Sequence, residues 1–312
     1  MKLASFSTST LSQVRAGLVQ GQEIVDIDLA ARALKIAPYE QVLSLIELPD
    51  EGQSIFQAIL AKAQGRMFSE VRSFANLGAV HSLASVTLFS PIPQPRKNIM
   101  CVGLNYYDHA LESYQSRGQE RPAGDSPVIF TKATTTINAP YGKIVIDPTV
   151  SEQIDWEAEL GVIIGKTGKN ISEAEALSYV FGYTVVNDVT ARDLQGRYKQ
   201  YFKGKSVDGY CPIGPWIVTA DEIPDPQNLA LRLRINGVTK QEANTGSMIY
   251  SVATIISQLS QGMTLEPGDI IATGTPSGVG FARKPQEFLK AGDVMETEID
   301  GIGLLRNEVI NA

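Results

Sequence analysis

The chain has 312 residues, 43% of them hydrophobic, which is enough to bury a sizeable core in one large domain or a large domain with a small one. A net charge of −7 with no basic face disfavours nucleic acid and anionic membranes as partners. No run reaches the roughly 18 apolar residues of a membrane span, and MKLASFSTST has no signal-like apolar core, so the expectation is a soluble cytoplasmic protein. Cys101 and Cys211 are far apart without CxxC spacing, and His81 and His109 are the only histidines. Any metal must therefore be held mainly by oxygen, which favours magnesium, manganese or calcium over zinc or copper.

Residues 1–88 are expected to form a small N-terminal domain, with a hairpin-like stretch in VRAGLVQGQEIVDI and a helix-like segment from Ser54 to Gln64. The run at 89–98 places Pro91, Pro93 and Pro95 at alternate positions, which neither a helix interior nor a central strand accepts, and reads as a linker. The main domain is expected over 99–312. Its first helix, at about 105–117, carries His109 and Glu112 three positions apart, close enough for the carboxylate to orient the imidazole as a general base. An exposed or merely structural pair is the plainer alternative.

A strand at 128–130 precedes the run SEQIDWEAELGVIIGK. There Asp155, Glu157 and Glu159 alternate with Trp156, Ala158 and Leu160, the period of a strand with one apolar face, so the three acids share the other. Like charges on one face repel unless they are well solvated or a cation neutralises them. GVII extends the strand as if buried, which favours the cation. GVIIGKTGKN lacks the spacing of a phosphate-binding loop. After a helical pattern at 172–179, the strand-like GYTVVND ends on Asp188, and a helix expected over 189–200 would make Asp188 its N-cap. In that helix Arg192 and Gln195 lie at i+4 and i+7 from Asp188, on one side with it. Three carboxylates around a divalent ion leave one negative charge, and Arg192 and Lys205, the latter in the loop-like GKSVDGYCPIGP, are the cations to offset it.

Further strands are expected at 230–237, 269–274 and 294–303, and a helix at 248–261. The glycine-rich TGTPSGVG is not a dinucleotide fingerprint, yet its backbone N–H groups and the Thr275 hydroxyl suit a carboxylate. Strands outnumber helices without a strand-helix-strand rhythm, so a β-rich α+β fold follows.

The motifs VGLNYYDHALE, DWEAELGVIIGK, GYTVVNDVTARDLQ, GKSVDGYCPIGP, LRINGVTKQ and GDIIATGTPSGVG, in this order from about residue 96 onward, resemble the fumarylacetoacetate hydrolase family. The resemblance implies a mixed β-roll or β-sandwich-like catalytic domain behind a smaller α+β domain, assembled as a homodimer. It implies Mg2+, with Mn2+ or Ca2+ as alternatives, on Glu157, Glu159 and Asp188, and excludes Asp155 as a ligand. His109 and Glu112 correspond to a water-activating dyad on a mobile segment, Lys205 stands beside the metal, and Arg192, Gln195 and Thr275 fall where relatives contact substrate. The activity expected from it is hydrolysis of the carbon–carbon bond of an acylpyruvate such as fumarylpyruvate or acetylpyruvate, giving pyruvate and a carboxylic acid. Tautomerisation or isomerisation of a 2-hydroxyhepta-2,4-diene-1,7-dioate type of compound, or decarboxylation of oxaloacetate, uses the same scaffold. A noncatalytic binding protein is the reading of a different class.

Overall fold

The apolar runs become strands of one large, open sheet. A computed structural model describes residues 1–9, 11–33, 40–48, 78–116, 118 and 126–312, and among these twelve strands join in that sheet. Its main path runs Val80–Ser82, Glu23–Asp26, Leu11–Gln20, Lys2–Thr8, Cys211–Thr219, Val180–Asn187, Ala158–Ile164, Ile270–Ala272, Ile99–Gly103, Val128–Lys132. Neighbours are antiparallel except for Ile270–Ala272 beside Ile99–Gly103. The strands at the N-terminal end continue the sheet that carries the acids, because Lys2–Thr8 pairs with Cys211–Thr219. The hairpin in VRAGLVQGQEIVDI pairs Gly17 with Asp26 and Gln20 with Glu23. The helix expected from Ser54 to Gln64 lies outside the described residues.

A second sheet of five strands, Val238–Asn244, Ala230–Ile235, Val294–Ile299, Gly303–Asn311 and Ile144–Ile146, shares a core with the first. Leu160, Val162 and Ile164 belong to that core together with Leu231, Leu233, Met295, Ile299 and Leu305. Ile163, on the opposite face of the same strand, packs in a cluster with Ile99, Ile213, Ile217 and Ile270. Both faces being covered explains why GVII reads as a continuous apolar run rather than an alternating one. It also means that Glu159, in this strand, is buried. A carboxylate there costs several kcal/mol unless something compensates it.

Three helices stand close to the expected positions: Tyr107–Ser116, Glu173–Ala176 with a 3-10 turn at Leu177–Tyr179, and Val252–Ser260, capped by Ser251. The helix at 189–200 is shorter than expected, Arg192–Arg197. Thr190 and Ala191 instead pair with Ile154–Asp155, and the Arg192 N–H donates to the Gln153 carbonyl at 2.9 Å. The β-branched Thr190 suits this bridge better than a first helical turn. Ala191, not Asp188, therefore occupies the N-cap position. Among the described residues, no helix is long and apolar enough to cross a membrane.

Candidate metal centre and its surroundings

Adjacent strands bring the acids together. Glu157 precedes Ala158–Ile164, Glu159 lies within it, and Asp188 directly follows the partner strand Val180–Asn187. The Asp188 N–H donates to the Glu157 carbonyl at 2.9 Å, which closes the junction. All three side chains are buried, and each offers an oxygen within 4.8 Å of the others. Burial pushes the Glu159 carboxyl well above its ordinary range, and the charges of Asp188 and Glu157 push it further. No lysine or arginine pairs with Glu159 among the described residues; its oxygen accepts from the Gly274 N–H at 2.8 Å. An all-oxygen donor set with one carboxylate lacking a countercharge fits a hard divalent cation such as Mg2+ or Mn2+.

The other two acids have partners. The Lys205 ammonium is 2.7 Å from both Glu157 Oε2 and Asp188 Oδ2, which keeps it charged against the penalty of its own burial. Burial alone would raise Glu157, but Lys205, Arg192 and His109 outweigh it and bring its pKa to about 2. Lys132, fully buried, donates to Asp188 Oδ1 at 2.7 Å and to the Val189 carbonyl at 3.1 Å. Motif reasoning passes over this residue, because nothing in VIFTKATTTI marks its lysine as different from a surface one.

Arg192 departs from the helix-face expectation. Since Asp188 is not helical, Arg192 reaches Asp155 instead, donating from Nε at 2.7 Å, and pairs with Glu157 Oε1 at 2.7 Å through Nη2. Its Nη1 donates to Gln195 Oε1 at 3.1 Å. Asp155, the third acid of the period-2 stretch, stands apart from the triad and acts through Arg192. Four buried carboxylates thus face three buried cations, Lys132, Arg192 and Lys205. A divalent ion would turn that balance net positive, as an anionic ligand requires.

The glycine-rich loop does bind carboxylates, but they are the protein's own. Gly274 donates to Glu159, Gly278 to both oxygens of Glu112 at 3.0 and 3.1 Å, and Gly280 and Phe281 to Asp155 at 2.7 and 3.0 Å. Gly274 and Gly278 hold φ of 97° and 104°, and a Cβ on Gly274 would meet Asn105 Cβ at 2.7 Å and the Val102 carbonyl at 2.8 Å. Glu112 in turn lies 3.0 Å from His109 Nδ1, so one ring nitrogen is anchored and Nε2 is left for other work. His109, Arg192, Gln195, Lys205 and Thr275 line one cleft together with Glu157 and Glu159.

Metal uptake is expected to release a proton. Glu159 binds its proton more tightly than a free carboxylate when no cation is present, and an ion must displace it. Affinity for Mn2+ therefore rises with pH, by about tenfold per unit, until the pH passes the folded-state pKa of Glu159. Titrating Mn2+ into lightly buffered protein while recording pH checks this. Binding without acidification would show Glu159 already ionised.

The profile of the fumarylacetoacetate (FAA) hydrolase C-terminal domain matches residues 98–310. The chain is 43% identical over 297 residues to the oxaloacetate tautomerase YisK of Bacillus subtilis, covering 94% of each. It is 39% identical to the mitochondrial oxaloacetate tautomerase fahd2 of Xenopus laevis, covering 99% of this chain and 90% of that one. Among solved structures, maleylpyruvate hydrolase from Sphingobium sp. SYK-6, in complex with manganese(II) and pyruvate, superposes with a TM-score of 0.74 at 29% identity, with both chains fully covered. These findings overturn the expected acylpyruvate hydrolysis, because the relatives of higher identity over nearly the whole chain are tautomerases. The inference from the His109–Glu112 pair to hydrolysis fails for a chemical reason. A base fit to take a proton from water is equally fit to take one from carbon.

Proposed function

The chain belongs to the fumarylacetoacetate hydrolase family, a family of enzymes, and on that premise we propose that it interconverts the enol and keto forms of oxaloacetate, with Mg2+ or Mn2+ as cofactor. The observation that carries this reading is the cleft itself, where an anchored imidazole faces buried cations beside a carboxylate triad. When bound by Glu157, Glu159 and Asp188, a divalent ion supplies Lewis-acid polarisation of the carboxylate and C2 oxygens of a 2-oxo acid.

The protein's own groups then do the following. Lys205 and Arg192 attract and orient the dianion, and burial strengthens both interactions. His109 Nε2 takes a proton from C3 of the keto form, and the C–H electron pair moves into the C2–C3 bond as the C2 oxygen gains negative charge. Lys205, held charged by Glu157 and Asp188, stabilises that oxygen rather than serving as the base. The proton held on His109 Nε2 is passed, directly or through solvent, to the C2 oxygen, which completes the enol and returns the imidazole to its neutral form, and the reverse path returns hydrogen to C3. No carbon–carbon bond breaks and no water is consumed.

The test is the decay of enol-oxaloacetate absorbance with Mg2+ or Mn2+ present. The enzyme should accelerate it, and His109→Gln should slow the enzymatic rate by about 10²- to 10⁴-fold while leaving Mn2+ affinity near that of the parent. Formation of pyruvate in step with loss of substrate would overturn the proposal, because carbon–carbon cleavage would then be the reaction.

A further inference from the structure

Gln241 comes from the five-stranded sheet, on the strand Val238–Asn244, yet its side chain is buried against the cleft loop. Its Oε1 accepts from the Ala158 N–H at 2.9 Å, and its Nε2 donates to Thr275 Oγ1 at 2.8 Å and to the Pro276 carbonyl at 2.8 Å. Reversing the amide would set oxygen against the Pro276 carbonyl and NH2 against the Ala158 N–H, so the network admits one orientation. The Thr275 oxygen is thereby used as an acceptor. The hydroxyl proton has no acceptor among the described residues, and Thr275 lines the cleft.

Gln195, on the helix Arg192–Arg197, repeats the pattern in the same cleft. Its Oε1 is occupied by Arg192 Nη1, which leaves the Nε2 end of the amide to the cleft. In each, a buried neighbour fills one acceptor position, and a donor is left without a protein partner among the described residues that line the cleft. We infer that Gln241 is a positioning residue that fixes Thr275 as a hydrogen-bond donor to a carboxylate or oxo oxygen of the substrate, so that the cleft favours an anionic ligand at this point. The inference rests on the reading of the substrate as a 2-oxo acid anion, but not on which reaction follows.

Malate serves as the probe, since it carries both carboxylates of oxaloacetate and cannot enolise. Its affinity is measured by calorimetry on the Mn2+-loaded protein for Gln241→Met, Thr275→Val, Thr275→Ser and the double variant Gln241→Met/Thr275→Val. A single charge-assisted hydrogen bond sets the scale, so Gln241→Met and Thr275→Val should each weaken malate by roughly tenfold or more, and Thr275→Ser should restore most of the loss. The double variant should bind no worse than Thr275→Val, because both changes remove one interaction. In kinetics the effect should fall on KM more than on kcat.

Multiplying losses in the double variant, or unchanged malate affinity in Gln241→Met with lowered thermal stability, would make Gln241 a structural staple only and overturn the proposal. Should Gln241→Met not fold, equal malate affinity in Thr275→Val and the parent overturns it alone. Failure of the tautomerase reading appears separately, as malate binding that follows this pattern without turnover of oxaloacetate.

Discussion

Glutamine in place of Glu159 is expected to raise the thermal stability of the metal-free protein while removing its activity. Glu159 is 1% exposed, between Asp188 and Glu157, with the Gly274 N–H to stabilise its charge. Its folded-state pKa lies above the ordinary carboxyl value of 4.5, so its contribution is favourable only below that pH. As pH rises from there toward the folded-state pKa, stability is lost. Glutamine is neutral at every pH and keeps an acceptor for Gly274. The variant's melting temperature, measured by calorimetry after chelation, should therefore exceed that of the parent, by about 2–4 °C for each kcal/mol relieved, and more at pH 8 than at pH 5.5. Activity should fall on the order of 10³-fold, because the site loses a ligand charge and the polarising power that goes with it. A glutamine variant less stable than the parent at both pH values would show that Glu159 is compensated by the protein alone. The opposite signs are what a site strained for function produces.

The second large effect belongs to Lys205. Methionine there leaves Glu157 and Asp188 buried without the ammonium they share at 2.7 Å, and breaking such a pair by removing one partner costs roughly 3–5 kcal/mol. Unlike Glu159→Gln, this variant should unfold at lower temperature than the parent when metal-free, and saturating Mn2+ should recover part of the difference by binding only the folded state. Turnover should still fall about 10²- to 10³-fold at saturating Mn2+, since the positive charge facing the substrate oxygen is gone. Arginine should not rescue it, because a planar guanidinium does not fit the place of a compact ammonium between two carboxylates. Equal melting temperatures for Lys205→Met and the parent after chelation would sink the argument.

The sequence was most informative where chemistry is local. The period of two in DWEAEL put Glu157 and Glu159 on one side, and the spacing of His109 and Glu112 matches a pair now seen at 3.0 Å. It misled where a local rule lost to a longer-range one: the helical spacing of Asp188, Arg192 and Gln195 was sound, but Thr190 and Ala191 pair with a distant strand, and Asp188 sits outside the helix. Other groups were beyond reach because the signal is not in their own segments. Lys132 matters through Asp188, 56 positions away, and Gln241 through Ala158 and Thr275, 83 and 34 positions away. The glycine loop was recognised as a carboxylate binder, but only the folded chain shows that its amides are committed to Glu159, Glu112 and Asp155.

The place of Ile270–Ala272 in the large sheet sets the order in which the molecule can assemble. On the sheet's main path it comes last in the sequence, yet it lies between Ala158–Ile164 and Ile99–Gly103, well inside the sheet. A chain emerging from the ribosome can pair the earlier strands, but the gap between those two stays open until residues beyond 270 have left the exit tunnel. The loop that follows this strand supplies the amides for Glu159, Glu112 and Asp155. Pairings of such long sequence separation form slowly, because the entropy of closing the chain is lost before the contacts repay it. Glu159 and Glu112 thus lack their backbone donors until residues 274–278 arrive, whereas Lys132, Arg192 and Lys205, the cations that pair with Asp155, Glu157 and Asp188, are made earlier in the chain.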